Sequence, residues 1–223
     1  MIKYLVPFLS VFVGFIIAYF LKQNNKKNLK LLLAFSGSFL LSMTVVHLLP
    51  EVYEIKSHST GLFIMIGILF QIILEFFSKG AEHGHVHGQE TMTQIPWFLF
   101  ISLCIHALLE GLPVSQHEEL AIGIGIHHLP IAIILTTFLL QSKLNNWSIF
   151  FFMLTFGLMT PLGTLLAIEL QFLSRFSTEI TAIVIGILFH ISSTIIFESS
   201  EGHKFNIAKI SMIILGTALA FFV

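Results

Sequence analysis

Two absences limit what this chain can do: among 223 residues there is no Asp and only one cysteine, Cys104. Without Asp, no site can rest on an Asp-bearing calcium loop, an aspartyl nucleophile or a Ser-His-Asp triad. With one cysteine, neither an intrachain disulfide framework nor a thiolate zinc cluster can form. Charge is scarce too, at 10% of residues where a soluble domain carries about a quarter. The formal net charge of −1 supplies no basic field for nucleic acid.

What the chain has in excess is apolar length. Hydrophobic residues make up 56% of it, and the mean hydropathy is +0.93. A bilayer core about 30 Å thick calls for roughly 20 apolar residues per helix. Eight stretches answer that description, near 4–21, 31–49, 60–77, 96–114, 119–140, 147–169, 179–198 and 206–223. The first is long enough to span and is followed by no small-residue cleavage site, so it is read as a helix and not as a secretory leader. The expectation is an all-α integral membrane protein with eight transmembrane helices, forming one domain over 1–223 with a polar loop at 78–95. The 24 Phe are assigned to lipid contact and packing. Gly123 and Gly125, or Gly157 and Gly163, are positions where helices can approach closely.

Basic residues favour the cytoplasmic side of a membrane. With the N-terminus outside, the inner connections hold Lys22, Lys26, Lys27, Lys30, Lys79, Lys143, Lys204 and Lys209, against Lys3, Lys56 and Arg175 outside. Both termini are therefore expected to be external in a multi-pass cell-membrane protein. The compact loops and the bias toward Ile, Lys and Asn suggest a bacterial inner membrane.

With so few ionisable groups, their placement carries the functional signal. The 11 His equal Lys and Arg combined, and all 12 acids are Glu. The fourth span places His106 and Glu110 at i and i+4 on one helix face, and the fifth contains His127, His128 and Pro130. At 1.5 Å per residue, His106 and His127 both lie roughly 12–14 Å into the membrane, and the short connection between the spans predicts that they meet near the midplane. An ionisable group at that depth costs on the order of 3 kcal/mol, so a cluster of four calls for a function. Imidazole nitrogen with one carboxylate oxygen is a donor set for Zn²⁺ and its first-row neighbours. The bland alternative is that each histidine satisfies a helix backbone or a serine.

A second set lies nearer the surfaces. His47 and Glu51, an i, i+4 pair, end the second span at the outer mouth, Gln71 and Glu75 lie toward the inner end of the third, and His190, Ser193 and Glu198 lie on the seventh. As a transport path, His47, Glu51, Glu75, His190 and Glu198 mark entry and exit for a cation; as plain chemistry, the carboxylates near helix ends simply reach water. Gln116-His117-Glu118-Glu119 begins like a His-Glu-x-x-His peptidase motif but has Ala121 where the second His belongs, and is read as a solvated cap that can concentrate cations. In the inner loop, His83, His85 and His87 alternate among glycines, a pattern that captures borderline cations without a fixed fold.

These residues resemble the ZIP (Zrt/Irt-like) family of divalent-metal transporters over nearly the whole chain. The family's His-Asn-x-x-(Asp/Glu)-Gly pattern is matched by His106, Glu110 and Gly111 but not by Ala107. Its fifth-helix pattern is matched by His127 and Pro130, with His128, Ile131 and Ala132 departing from it. His47-Leu48-Leu49-Pro50-Glu51 resembles its second-helix motif. The resemblance implies an inverted repeat, with helices 1–3 related to helices 6–8 around helices 4–5, and transport of a divalent cation toward the cytoplasm by rocking of helix bundles. Zn²⁺ is then substrate and not a catalytic cofactor, with Fe²⁺ or another cation as further cargo; the chain is not an enzyme, its partners are the cation and the lipid bilayer, and a homodimer is left open.

Family members with two adjacent metal positions bridge them with carboxylates or Asn, groups that Ala107 and Ile131 remove here. One intramembrane position is expected, from His106, Glu110 and His127, with His128 as fourth ligand or as a group supporting the others. Such a site should prefer Zn²⁺ to harder Mn²⁺ and weaken as its histidines protonate below about pH 6.5. Two other functions compete. An intramembrane zinc hydrolase could use Glu110 as base, although there is no His-Glu-x-x-His helix; a metal-sensing membrane protein would bind without transporting.

Overall fold

The computed structural model describes residues 1–21, 26–54, 59–78, 95–198 and 206–223. Among them there is no strand, and the chain runs through α1 (Ile2–Leu21), α2 (Lys26–Met43), α3 (Leu49–Glu54), α4 (Thr60–Ser78), α5 (Trp97–Gly111), α6 (Leu120–Leu140), α7 (Asn146–Glu169), α8 (Gln171–Arg175), α9 (Ser177–Glu198) and α10 (Ile207–Ala220). A π-helical turn at Thr44–Leu48 joins α2 to α3 without a break, and a 3-10 turn at Pro113–Ser115 follows α5.

Seven of these rods are long and apolar enough to cross a membrane, with α2, the π turn and α3 counted as one. The eighth stretch, expected over 206–223, forms the shorter α10. Its 14 residues rise about 21 Å at 1.5 Å each, short of a core about 30 Å thick. Its start is set by Asn206, whose side chain accepts the Lys209 amide at 2.8 Å as a helix N-cap, and it ends at Ala220, short of the expected C-terminal limit. Asn145 starts α7 the same way, accepting the Ser148 amide at 2.6 Å.

The π turn has a local cause. Pro50 lacks an amide hydrogen and its ring collides with the carbonyl four residues back in a regular helix. Widening the preceding turn relieves that collision, and the Leu49 amide reaches Thr44 O instead. His47 lies in this widened turn.

The rods pack as two groups. In one, α1 lies against α6 and α7, and α5 against α7; in the other, α4 lies against α9, α10 against α2, and α2 against α9. The groups meet mainly where α2 faces α6 and α4 faces α5. Helix α6 is the most enclosed of the seven, apolar on every side, and its buried residues join both main core clusters. Large apolar side chains on α1, α4 and α7 remain exposed, as lipid-facing surfaces require. Trp97 and Trp147 stand exposed at the first turns of α5 and α7, positions suited to an interfacial aromatic belt.

Two helix crossings depend on the absence of a side chain. A Cβ on Gly111 would lie 2.1 Å from Thr160 O, and one on Gly163 would lie 2.0 Å from Leu108 O. Helices α5 and α7 therefore touch backbone to backbone, immediately beside Glu110. Gly67 and Gly186 do the same for α4 and α9. Of the glycines singled out from sequence, Gly125 is also tightly covered, at 2.7 Å from Val6, whereas Gly123 makes only ordinary contact at 3.6 Å from Met43.

Candidate metal centre

Helix α5 presents His106 and Glu110 one turn apart, and α6 presents His127 opposite them. One ligand atom from each residue lies within 4.8 Å of the others. All three side chains are sealed from solvent, at 2%, 0% and 1% exposure. The His106 and His127 rings stand edge to face, 6.4 Å between centroids. Although α5 and α6 are consecutive, their main packing partners are α7 and α1, so imidazoles and a carboxylate occupy the space between them.

The two oxygens of Glu110 have different neighbours. Oε1 lies 3.2 Å from His106 Nε2. Oε2 accepts a hydrogen bond from His128 Nε2 at 2.9 Å. The first distance matches the edge of a tetrahedron of ligands around zinc, about 3.3 Å for bonds of about 2.0–2.1 Å; the second is an ordinary charge-assisted hydrogen bond. His128 Nδ1 is buried without a hydrogen-bond partner among the described residues, and its ring rests on Phe156, 5.4 Å between centroids. The carboxylate's backbone is held as well, since Thr164 Oγ1 donates to Gly111 O at 2.9 Å. Ala107 and Ile131 belong to the apolar core.

Toward the surfaces, the structure separates some expected pairs and creates others. His47 and Glu51 do not pair with each other: His47 Nε2 donates to Ala220 O at 3.1 Å, while Glu51 turns to His117. His190 and Glu75, from α9 and α4, form a hydrogen bond of 2.5 Å and are half-buried. Glu198 is the last residue of α9. His83, His85 and His87 lie outside the described residues.

The reading of residues 116–119 as a solvated cap needs correction at His117. Its residue exposure is 7%, and its Nδ1 faces Glu51 Oε2 at 3.3 Å and Glu119 Oε1 at 3.6 Å. The 3-10 turn begun by Pro113 bends the chain back, with the amides of Gln116 and His117 both donating to Pro113 O at 3.0 Å. That proline, four residues ahead, is the signal in the sequence that could have pointed to a buried His117.

A bundle of apolar rods enclosing two histidines and a carboxylate defines a multi-pass membrane protein with an interior cluster of candidate metal ligands. The family model for the ZIP zinc transporter matches residues 78–223, and the chain belongs to that family. The match covers α5 to α10, hence His106, Glu110 and His127, while the His47-to-Glu51 segment lies outside it. No curated protein matches the chain. Family membership makes this a membrane metal transporter and not an enzyme.

Proposed function

We propose that the chain moves a divalent cation, Zn²⁺ foremost, across the membrane toward the cytoplasm, with His106, Glu110 and His127 as its interior ligands. The observation that carries this reading is the convergence of three ligand atoms within 4.8 Å in a solvent-sealed space between two helices. Two imidazoles and one carboxylate suit zinc, and they leave one tetrahedral position for water or for a ligand on the way in or out. A single carboxylate leaves the loaded cluster with a net positive charge.

His128 acts here as a support for Glu110, since its Nε2 stands at hydrogen-bond length from the carboxylate and its ring is outside the three-residue cluster. With Ala107 and Ile131 packed in apolar core, one interior metal position is the economical reading. The hydrolase alternative loses support from the same geometry, because imidazoles already face both oxygens of Glu110, the base it would use.

His47 and Glu51 lie along the entry side of the proposed path, and Glu75, His190, Glu198 and the His83–His87 loop along its exit. An inverted repeat within one transmembrane domain is supported by the packing pattern. Exchanging α1 with α7, the α2–α3 rod with α9, α4 with α10 and α5 with α6 carries the α1–α6 contact onto α7–α5, and the α4–α9 contact onto α10–α2.

The deciding experiment is uptake of radioactive zinc by vesicles reconstituted with the wild type or with His106→Ala plus Glu110→Ala. Uptake should fall to the protein-free level in the variant; equal uptake by the two would overturn the site.

A further inference from the structure

Serine and threonine hydroxyls inside helices ordinarily donate to the carbonyl one turn back on their own helix. This chain follows the habit at Ser10, Thr44, Thr137 and Thr194, which reach the carbonyls of Val6, Leu40, Ile133 and His190 at 2.7–2.8 Å. Ser102 reaches further. Its Oγ donates at 2.7 Å to Leu74 O of α4, in a contact where the two residues are 2% and 6% exposed. Helix α5 belongs to one group of rods and α4 to the other, so this hydroxyl ties the groups together.

The bond sits between the interior ligands and the Glu75–His190 pair. Ser102, His106 and Glu110 fall at i, i+4 and i+8 of α5, so Ser102 lies one turn, about 6 Å, from His106 along one face. Leu74 directly precedes Glu75, whose carboxylate holds His190 at 2.5 Å. Leu99 and Leu103, flanking Ser102 on α5, share a core cluster with Phe70 of α4 and with Ile187 and Ile191 of α9. An ion leaving the interior on this side has to pass a seal of apolar side chains with a hydrogen bond in it.

The divide between the groups is closed less tightly than the groups themselves. A Cβ on Gly14 or Gly163 in one group, or on Gly67 or Gly216 in the other, would lie 1.9–2.7 Å from an atom of a helix in the same group. Gly123 faces across the divide to Met43 of α2, and there the nearest atom is 3.6 Å away. A hydroxyl suits an interface of this kind because it can let go. On separation, Ser102 can turn to Phe98 O, one turn back on α5, while Leu74 O keeps the regular hydrogen bond of its own helix. Neither state strands a buried polar group, which would make opening costly.

We propose that Ser102 is the latch of the seal between the interior ligands and the exit side. It holds α5 against α4 while the ion is enclosed, and it switches its hydrogen bond to its own helix when the ion leaves. Its role rests on the transport reading above; the contact itself does not.

The test reads the seal from one side of the membrane. In the full chain with Cys104→Ser, Leu103→Cys places a reporter thiol at a position that is 1% exposed, beside Ser102. In inside-out vesicles a membrane-impermeant maleimide meets the cytoplasmic face, and it reaches that thiol when the seal opens. Adding Ser102→Ala should speed the reaction about 5-fold, the shift that one ordinary hydrogen bond supplies. Ser36→Ala removes a hydroxyl that is 0% exposed and bound to Leu33 O of its own helix at 3.1 Å, and should leave the rate unchanged. In right-side-out vesicles Ser102→Ala should have no effect. Equal rates with and without Ser102→Ala, equal acceleration by Ser36→Ala, or acceleration from the opposite face overturns the latch. Zinc uptake by the wild type and Ser102→Ala separates the two readings. Flux with equal maleimide rates would overturn the latch alone; no flux from either protein, with the acceleration intact, would overturn transport and leave Ser102 joining two halves that part.

Discussion

Glu110 and His128 share a hydrogen bond of 2.9 Å between groups that are 0% and 1% exposed, which turns toward His128 one oxygen of the carboxylate that, among the described residues, alone is fully buried. A support of this kind fixes the orientation of the carboxylate and raises the affinity of the ligands it serves. Its loss usually costs about 10–100-fold in metal binding. His128→Ala is therefore expected to weaken zinc binding by that order, whereas His106→Ala or His127→Ala should abolish it at the interior cluster. Titration of zinc into purified protein carrying His83→Ser, His85→Ser and His87→Ser separates the cases. A His128→Ala protein as empty as His106→Ala would make His128 a ligand.

The backbone contact between α5 and α7 sets the position of Glu110 through its neighbour Gly111. Gly163→Ala inserts a methyl group 2.0 Å from Leu108 O, an overpacking that backbone atoms can relieve only by moving the helices apart. The expected cost is about 3 kcal/mol, seen as a lower unfolding temperature and reduced zinc uptake. Gly123→Ala meets only ordinary contacts and should stay within about 1 kcal/mol of the wild type, with better helix propensity on its side. Equal effects from the two substitutions would argue against the crossing described here.

Pro50 is the cause assigned to the π turn, and that assignment can be checked by cross-linking. In a Cys104→Ser background, cysteines at positions 47 and 220 should be joined by a short bifunctional thiol reagent, since the His47 side chain bridges the gap to the Ala220 carbonyl. Adding Pro50→Ala permits a regular helix, rotates residue 47 away from α10 and should lower the cross-linking yield severalfold. An unchanged yield would mean that tertiary packing alone holds the turn.

The His190–Glu75 bond joins α9 to α4 at 2.5 Å in a half-buried setting. Removing the imidazole leaves the carboxylate partly desolvated without this partner, so His190→Ala should cost about 1 kcal/mol of stability. If the pair lies on the exit path, the same variant should slow zinc flux while dialysis still finds zinc on the interior cluster. Flux equal to the wild type would remove these two residues from the path.

Much of this architecture is legible in the sequence, for physical reasons that can be named. Membrane helices announce themselves by apolar length, and seven of the eight expected stretches became rods long enough to cross. His106 and Glu110 were legible because a helix fixes the i, i+4 geometry, and His127 because a short connection returns the chain antiparallel. The partners of His47, His117 and His190 were not. Each has a partner from a segment distant in sequence, as when His47 meets Ala220, His117 meets Glu51 and His190 meets Glu75, and local periodicity carries no information about which rods become neighbours. The π turn was missed because it offsets His47 from the i, i+4 face on which the sequence placed it beside Glu51. The burial of His117 depends on the eight-residue connection 112–119 folding over helix ends, where hydropathy reads only polarity.

The division of the rods into two groups gives the interior and the mouth different mechanical standing. His106, Glu110 and His127 all ride on α5 and α6, which belong to the same group, so sliding that group past the other would carry a bound ion as a passenger with its ligands intact. Glu51 stands on the opposite group from His117 and Glu119. The same displacement would pull Glu51 away from His117, so that ion pair reports the alignment of the two halves, and the interior cluster does not.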